Sequence, residues 1–366
     1  MISSEDAKFM ARAIQLAQRG RYTCTPNPCV GAVIVVKGDI VGEGWHERAG
    51  EAHAEVNAIA AAGSLTQGAT LYVTLEPCSH SGRTGPCTEA VMQAGISRVV
   101  YGHEDPNPEV CGNGIKILRE AGVDVQGPLM EVEARALNAG YIKRRTTGLP
   151  WVRIKSAMSL DGRTAMPDNN SFWITGPNAR ADVQRLRGRS CALISGWKTV
   201  QQDQATLTVR PEEFGLDEPG LGDRQPLRVL VDSHLRLSQD ARFFKTRESI
   251  LVANVCEDGR HEHIERRVYA KEGAKQVDLE ALLLDLASRG CNEVLVEAGA
   301  SLSGAFFRLG LVDELIVYVA PKVMGSDARA LFDVPLRFMD EALPVRFTDV
   351  RSVGRDIRIT AVPETE

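Results

Sequence analysis

Residues 30–62 read VGAVIVVKGDIVGEGWHERAGEAHAEVNAIAAA. Val30 to Val36 is an apolar run, the pattern of a strand buried on both faces. Lys37-Gly38-Asp39 turns the chain into a second strand, Ile40 to Trp45. Ala54 to Ala62 is Ala-rich and reads as a helix. Strand, hairpin and helix in this order predict a mixed α/β unit. The alternation continues outward. Thr70 to Thr74 and Arg98 to Gly102 read as strands, Pro86 to Ala94 and Gly114 to Ala121 as helices, and Glu131 to Arg145 as one last long helix. Upstream, the first twenty residues form an amphipathic helix closed by Gly20. The sum is a three-layer α/β pattern.

The polar stretch Lys143-Arg144-Arg145-Thr146-Thr147-Gly148, closed by Leu149-Pro150, is the natural boundary. It divides the 366 residues into 1–147 and 148–366, two domains of ordinary size. The second part alternates again. Strands are expected at Trp151 to Ser156, Cys191 to Ser195, Arg228 to Asp232, Ile250 to Ala253, Glu293 to Glu297 and Glu314 to Val319. Helices are expected at Asn178 to Arg187, Leu279 to Arg289 and Leu302 to Leu309. A closing hairpin is expected near Val345 to Val353 and Asp356 to Ala361, and Pro211 to Gln225 reads as an exposed insert.

With 43% apolar and 25% charged residues, each part can bury a core. A net charge of −5 argues against a nucleic-acid-wrapping protein, which normally shows a basic face. No segment has the length of a membrane span or the layout of a signal peptide, so a soluble cytoplasmic chain is expected. Its eight cysteines should then stay reduced. Cys111, Cys191, Cys256 and Cys291 read as small buried apolar residues. The useful question is which of the others bind metal.

His53-Ala54-Glu55, Glu76-Pro77-Cys78 and Cys87 answer it. One imidazole and two thiolates suit zinc, and three protein ligands leave a fourth position for water. Zinc lowers the pKa of that water to about 7. Glu55 is the candidate general acid and base. His53 and Glu55 face one pocket if they straddle the start of the Ala-rich helix. Pro77 suggests a first helical turn at Cys78, where a thiolate is stabilised. Asn27, in Thr25-Pro26-Asn27-Pro28-Cys29-Val30-Gly31, falls near the pocket mouth. A closed structural zinc site, with Cys24, Cys29 or His80 as fourth ligand, is the alternative.

The second part lacks Gly-x-Gly-x-x-Gly. Glu297-Ala298-Gly299-Ala300-Ser301-Leu302-Ser303-Gly304 lies between a strand and a helix. It reads equally as a phosphate-binding helix start or as an ordinary turn.

Taken together, Asn27-Pro28-Cys29-Val30-Gly31, His53-Ala54-Glu55 and Glu76-Pro77-Cys78-Ser79-His80 through Cys87 resemble the deaminase domain of the bifunctional riboflavin-biosynthesis deaminase–reductases. Eight residues, Ser79 to Pro86, separate the two cysteines, where generic zinc deaminases have two. That long loop, with Gly82-Arg83-Thr84, is this family's variant of the cytidine-deaminase motif. Lys155-Ser156-Ala157, Ser159-Leu160-Asp161-Gly162-Arg163, Val231-Asp232-Ser233, Glu297-Ala298-Gly299 and Ala320-Pro321-Lys322 are similar to its reductase domain. The resemblance implies a cytidine-deaminase-like α/β/α domain followed by a dihydrofolate-reductase-like α/β domain. It implies hydrolytic deamination of 2,5-diamino-6-ribosylamino-4(3H)-pyrimidinone 5′-phosphate, then NADPH-dependent reduction of the ribosyl group to 5-amino-6-ribitylaminouracil 5′-phosphate. NADPH is implied at Ala157, Trp173, Thr199, Asp203, Ser233, Gly299, Ala300, Ser301, Leu302, Ser303, Gly304 and Ala305. Substrate is implied at Ser171, Arg187, Leu207, Arg210 and Glu297, the two arginines forming a phosphate clamp. Lys155 and Asp203 are candidates for protonation or positioning. Gln204-Ala205 departs from the family's usual Asp and Pro. Assembly into homo-oligomers is a further expectation. A single-activity deaminase with a ligand-binding second domain and a non-enzymatic zinc-stabilised interaction protein are the competing readings.

Overall fold

Residues 2–79, 85–107, 111–168 and 173–364 are described in the computed structural model. They divide into two compact units, Met1–Gly148 and Leu149–Glu366.

In the first unit the apolar run becomes β1 (Gly31–Val36), and the turn leads into β2 (Asp39–Trp45). With β3 (Thr70–Val73), β4 (Arg98–Tyr101) and β5 (Asp124–Gln126) they form a sheet ordered β2-β1-β3-β4-β5. β1 pairs antiparallel with both neighbours, and β3, β4 and β5 run parallel. Alternate residues of β1 serve opposite faces. Ala32 and Ile34 pack with Ala54, Ala58 and Ala62 of α2 (Ala54–Ala62), and with α3 (Cys87–Gln93) and α4 (Asn113–Glu120). Val33 and Val35 pack with Met10, Ala13 and Leu16 of α1 (Ser4–Ala17). These are the three layers. Ser3 and Asp6 form a capping box on α1, and buried Asp6 also accepts from Tyr72 Oη (2.6 Å) and Arg98 Nη1 (2.7 Å). One carboxylate thus ties the first helix to β3 and β4.

Two glycines of β2 set how closely α2 approaches. A Cβ at Gly44 would lie 2.4 Å from the Ala58 nitrogen and 2.5 Å from the Ala54 carbonyl; one at Gly42 would lie 2.4 Å from the Ala58 carbonyl. The helix backbone has no room to give unless it shifts bodily. Gly44→Ala is therefore expected to lower stability by about 1–3 kcal/mol, read as a lower urea midpoint. A midpoint unchanged from wild type contradicts this packing.

The long helix expected at Glu131 to Arg145 is instead two, α5 (Glu131–Ala136) and α6 (Ala139–Thr147). Buried Asn138 breaks it. Its side chain accepts from the Cys29 N–H (2.7 Å) and donates to the Cys29 carbonyl (2.9 Å), while its own backbone leaves helical geometry. Gly148 ends α6 in the left-handed region (φ 74°).

The second unit holds a ten-stranded sheet ordered β10-β11-β9-β8-β7-β12-β6-β13-β15-β14. Its strands are β6 (Trp151–Ser159), β7 (Ala192–Gly196), β8 (Leu227–Val231), β9 (Ile250–Asn254), β10 (Gly259–His261), β11 (Ile264–Val268), β12 (Glu293–Val296), β13 (Glu314–Ala320), β14 (Val345–Val353) and β15 (Asp356–Pro363). The strands from β11 to β13 run parallel. Helices cover both faces, as parallel sheets require. Phe306 of α10 (Ala300–Arg308) and Leu282 and Leu286 of α9 (Leu279–Ser288) pack on Ile154, Ile194 and Val296. Val183 and Leu186 of α7 (Pro177–Arg189) and Val200 of α8 (Trp197–Asp203) pack on Leu193, Leu230 and Leu295. Helix α8 and strands β5, β10 and β11 were not expected. β10 is exposed at every residue and β11 carries Glu265-Arg266-Arg267, so neither shows an apolar period. Cys111 and Cys256 are exposed, contrary to the reading of all four remaining cysteines as buried.

Charge is also buried here. Arg153 lies between Glu293 (3.0 Å) and Glu314, and Glu293 also pairs with Arg189 (2.9 Å). Burial alone would raise the Glu293 carboxyl, but Arg189 and Arg153 outweigh it and hold it down at about 2. A depressed carboxylate stabilises the fold above its unfolded value and loses that contribution as pH falls through the folded one. The melting temperature should fall between pH 4.5 and about 2. A melting temperature flat down to about pH 3 would exclude this role.

Candidate metal and cofactor sites

Helix α2 presents the first site at its N-terminus. His53 is its N-cap residue and Glu55 lies in its first turn. Cys87 is the first residue of α3. Cys78 is in a loop after β3, not in a helical turn as Pro77 suggested. Here Pro77 has a different use: its carbonyl lies against Gly114 of α4, where a Cβ would approach to 2.0 Å.

The three ligand candidates converge. His53 Nδ1 lies 3.1 Å from Cys87 Sγ and 3.5 Å from Cys78 Sγ. All three donor atoms lie within 4.8 Å of one another. A tetrahedral zinc with bonds near 2.1–2.3 Å needs donors roughly 3.5 Å apart, so the set fits in spacing and chemistry. Among the described residues no other His, Cys, Asp or Glu joins this group, and Cys24 and Cys29 stand outside it. His80 and the Gly82-Arg83-Thr84 loop lie outside the described residues.

Electrostatics separate the two thiols. The Cys87 hydrogen bond holds the Cys78 thiol down at about 4, and that same bond pushes Cys87 up. Cys78 also raises His53. Glu55 is 3% exposed, and burial pushes its carboxyl up to about 7. A carboxyl so placed can hold and release a proton near neutrality.

Two residues that the sequence reading did not assign support this site. His46 is buried, stacks edge-on to His53 at 5.4 Å between centroids, and meets Asn27 Nδ2 through Nε2 (3.0 Å). Its signal was only a histidine after a strand. Glu76 is buried and accepts four backbone N–H groups: Asp105 (3.2 Å), Gly112 (3.0 Å), Gly114 (2.9 Å) and Ile115 (3.3 Å). It caps α4 from two residues before Cys78.

In the second unit the expected cofactor residues lie at the carboxyl ends of parallel strands, where α/β sheets bind ligands. Ala157 is in β6, Ser233 follows β8, Thr199 is in α8 after β7, and Gly299 to Ala305 start α10 after β12. Thr199 Oγ1 accepts from the Gly299 N–H (3.1 Å), joining two of these segments. Gly299 caps α10 without a side-chain acceptor, which suits a phosphate at that end. Asp232, beside Ser233, buries one carboxylate oxygen with no partner, a place for a ligand donor. Trp173 is exposed, with the Arg180 guanidinium 4.5 Å from its ring centre. Asp203 ends α8, and Gln204 takes the left-handed cap (φ 48°).

Both arginines of the expected phosphate clamp have a carboxylate partner. Arg187 gives Nε (2.6 Å) and Nη2 (3.0 Å) to Glu297, and Nη1 (3.1 Å) to the Thr208 carbonyl. Lys155 Nζ is 3.6 Å from Glu297. Arg210 pairs with Glu213 (2.8 Å), and Leu207 is buried with positive φ (53°). Ser171 lies outside the described residues.

Residues 150–359 match the profile of the RibD C-terminal domain, and residues 3–103 that of the cytidine and deoxycytidylate deaminase zinc-binding region. The chain is 48% identical over 361 residues to the riboflavin biosynthesis protein RibD of Escherichia coli, covering 96% of this chain and 98% of that one. The chain belongs to the RibD family. RibD of Haemophilus influenzae is 44% identical, covering 99% of this chain and 98% of that one. The solved structure of Acinetobacter baumannii RibD is similar at TM-score 0.91 and 42% identity, over 99% of both chains. A Thermotoga maritima structure, described as a diaminohydroxyphosphoribosylaminopyrimidine deaminase/5-amino-6-(5-phosphoribosylamino)uracil reductase, is similar at TM-score 0.87 and 33% identity. It covers 98% of this chain and 99% of that one. The matches run through both units. No helix among the described residues is long and apolar enough to cross a membrane.

Proposed function

We propose that the two units divide the two activities of this riboflavin-biosynthesis deaminase–reductase. The first hydrolyses the ring amine of 2,5-diamino-6-ribosylamino-4(3H)-pyrimidinone 5′-phosphate. The second uses NADPH to reduce the ribosyl group, giving 5-amino-6-ribitylaminouracil 5′-phosphate. The observation that carries the reading is the His53–Cys78–Cys87 donor set with buried Glu55 beside it. Zinc held by those three residues would supply a Lewis acid that makes water nucleophilic at neutral pH. Glu55 accepts the proton of the attacking water and returns it to the departing amine. His46, which meets the Asn27 amide, backs the His53 ring.

NADPH held in the second unit would supply the hydride that reduces C1′ of the opened ribose. The α10 start, Thr199, Ser233 and Asp232 receive the cofactor. Arg187, Lys155 and Glu297 form a charge network that positions the substrate, with Arg187 acting through Glu297. Arg210 remains the candidate for the phosphate.

The test uses the zinc-loaded chain with the diaminopyrimidine phosphate and NADPH. Ammonia release followed by loss of NADPH absorbance is expected. Ammonia without NADPH oxidation would favour a deaminase whose second unit only binds ligand. Release of neither product would end the reading.

The enzyme works in the cytoplasm, on small-molecule substrates, and as an assembly of identical copies. The outermost strand β14 supports assembly. Its residues are exposed almost throughout, and Phe347 and Val350 are 63% and 58% exposed. An open edge of that length is a template for a second copy. Phe347→Lys should shift the sedimentation profile toward monomer; an unchanged profile would remove β14 from the interface.

A further inference from the structure

We propose that Cys24 and Cys29 are a redox-modifiable pair that a hydroperoxide closes to a disulfide, stiffening the segment that carries Asn27. Their sulfurs stand 2.8 Å apart. Neither belongs to the donor group of the metal site, so the pair has no role in the reading above. The segment is anchored at both ends. The Cys24 N–H donates to the Gly20 carbonyl (2.9 Å), and Gly20 lies against the His46 carbonyl. Cys29 is clasped through its N–H and its carbonyl by Asn138. Between them lie Thr25, Pro26, Asn27 and Pro28, and the two prolines restrict the backbone further. The sulfur contact is therefore a feature of an ordered segment.

Exposure assigns the order of events. Cys29 is half-buried, while Cys24 is 2% exposed. The Cys29 thiolate attacks the O–O bond of the hydroperoxide. A sulfur–oxygen bond forms, and the distal oxygen leaves as water or alcohol. Cys24 sulfur then attacks Cys29 sulfur; the sulfur–sulfur bond forms and the sulfenic oxygen leaves as water. The two sulfurs give up two electrons and the peroxide takes them. A dithiol reverses the bond by exchange.

The chemistry reaches the metal site through short contacts. The Asn27 N–H donates to the Cys24 carbonyl (2.9 Å), the Asn27 amide meets His46, and His46 stacks on His53. Cross-linking removes the give of this segment as a ring enters the pocket. Deamination slows while NADPH-dependent reduction does not. This consequence rests on the deaminase reading; formation of the disulfide does not.

The zinc-loaded full chain is treated with hydrogen peroxide, alkylated and digested with trypsin, and the peptide Tyr22–Lys37 is weighed. The expected peptide is lighter by two hydrogens, carries no alkyl group and reverts with dithiothreitol, while metal content stays constant. Ammonia release falls about tenfold, and NADPH oxidation on supplied deaminated intermediate is unchanged. Cys29→Ser keeps its ammonia release under peroxide. A peptide alkylated at both cysteines, or metal lost before any cross-link forms, overturns the pair. A cross-link with unchanged ammonia release overturns its link to the pocket. Absence of ammonia release in untreated protein is instead a failure of the deaminase reading, and the peptide mass still decides the disulfide.

Discussion

Glu55→Gln is expected to lower ammonia release by about a thousandfold while zinc stays bound. The substitution keeps the shape of the side chain and removes its ability to take and return a proton. The site around it is otherwise unchanged: His53, Cys78 and Cys87 remain, and Glu55 is not among the clustered donors. Burial is what makes the effect large. A carboxyl at 3% exposure has little bulk water to share its task. Metal analysis and ammonia release, measured on the same sample, check the prediction. NADPH oxidation with supplied deaminated intermediate serves as the internal control and should match wild type. A zinc-loaded variant releasing ammonia within about tenfold of wild type would remove Glu55 from the proton path.

The second large effect is one of stability. Glu297→Ala leaves Arg187 with Nε and Nη2 stripped of their acceptors, and leaves Lys155 without its anion. Burial would raise the Glu297 carboxyl, but Arg187 and Lys155 overcome it and hold the group at about 2. The two cations together thus outweigh the cost of burying that carboxylate. Removing one partner of a buried pair costs about 3–5 kcal/mol. Urea unfolding should show the transition of the second unit moving to lower denaturant, with reductase activity lost and deaminase activity kept. Glu297→Gln should recover part of the stability, because its amide oxygen still accepts from the guanidinium. A loss under about 1 kcal/mol for Glu297→Ala would mean the network is solvated and not structural.

Local chemistry was legible where one residue type has one use. The apolar run of β1, its turn and the Ala-rich α2 follow from periodicity alone, and their packing explains the two small residues of β2. His53, Cys78 and Cys87 are legible because few roles need an imidazole and two sulfurs together. What the sequence hid depends on distant partners. Asn138 interrupts a helical pattern because of Cys29, more than one hundred residues away. Pro77 suggested a helical turn but serves as a surface for Gly114. Arg187 suggested a phosphate ligand, and its bonds to Glu297 and Thr208, which only the folded chain brings to it, were not legible. The strands β10 and β11 lie at an exposed sheet end, where no burial imposes an apolar period.

Glu76 links local order at two places. By gathering backbone N–H groups from Asp105 to Ile115, it makes the start of α4 a foundation for the residue that follows Pro77. The position of one metal-facing sulfur is thereby inherited from backbone N–H groups some thirty to forty residues further along the chain. Loop redesign between β4 and α4 would detune the catalytic centre at a distance, and natural variation there is a route to adjusting it without altering a single ligand.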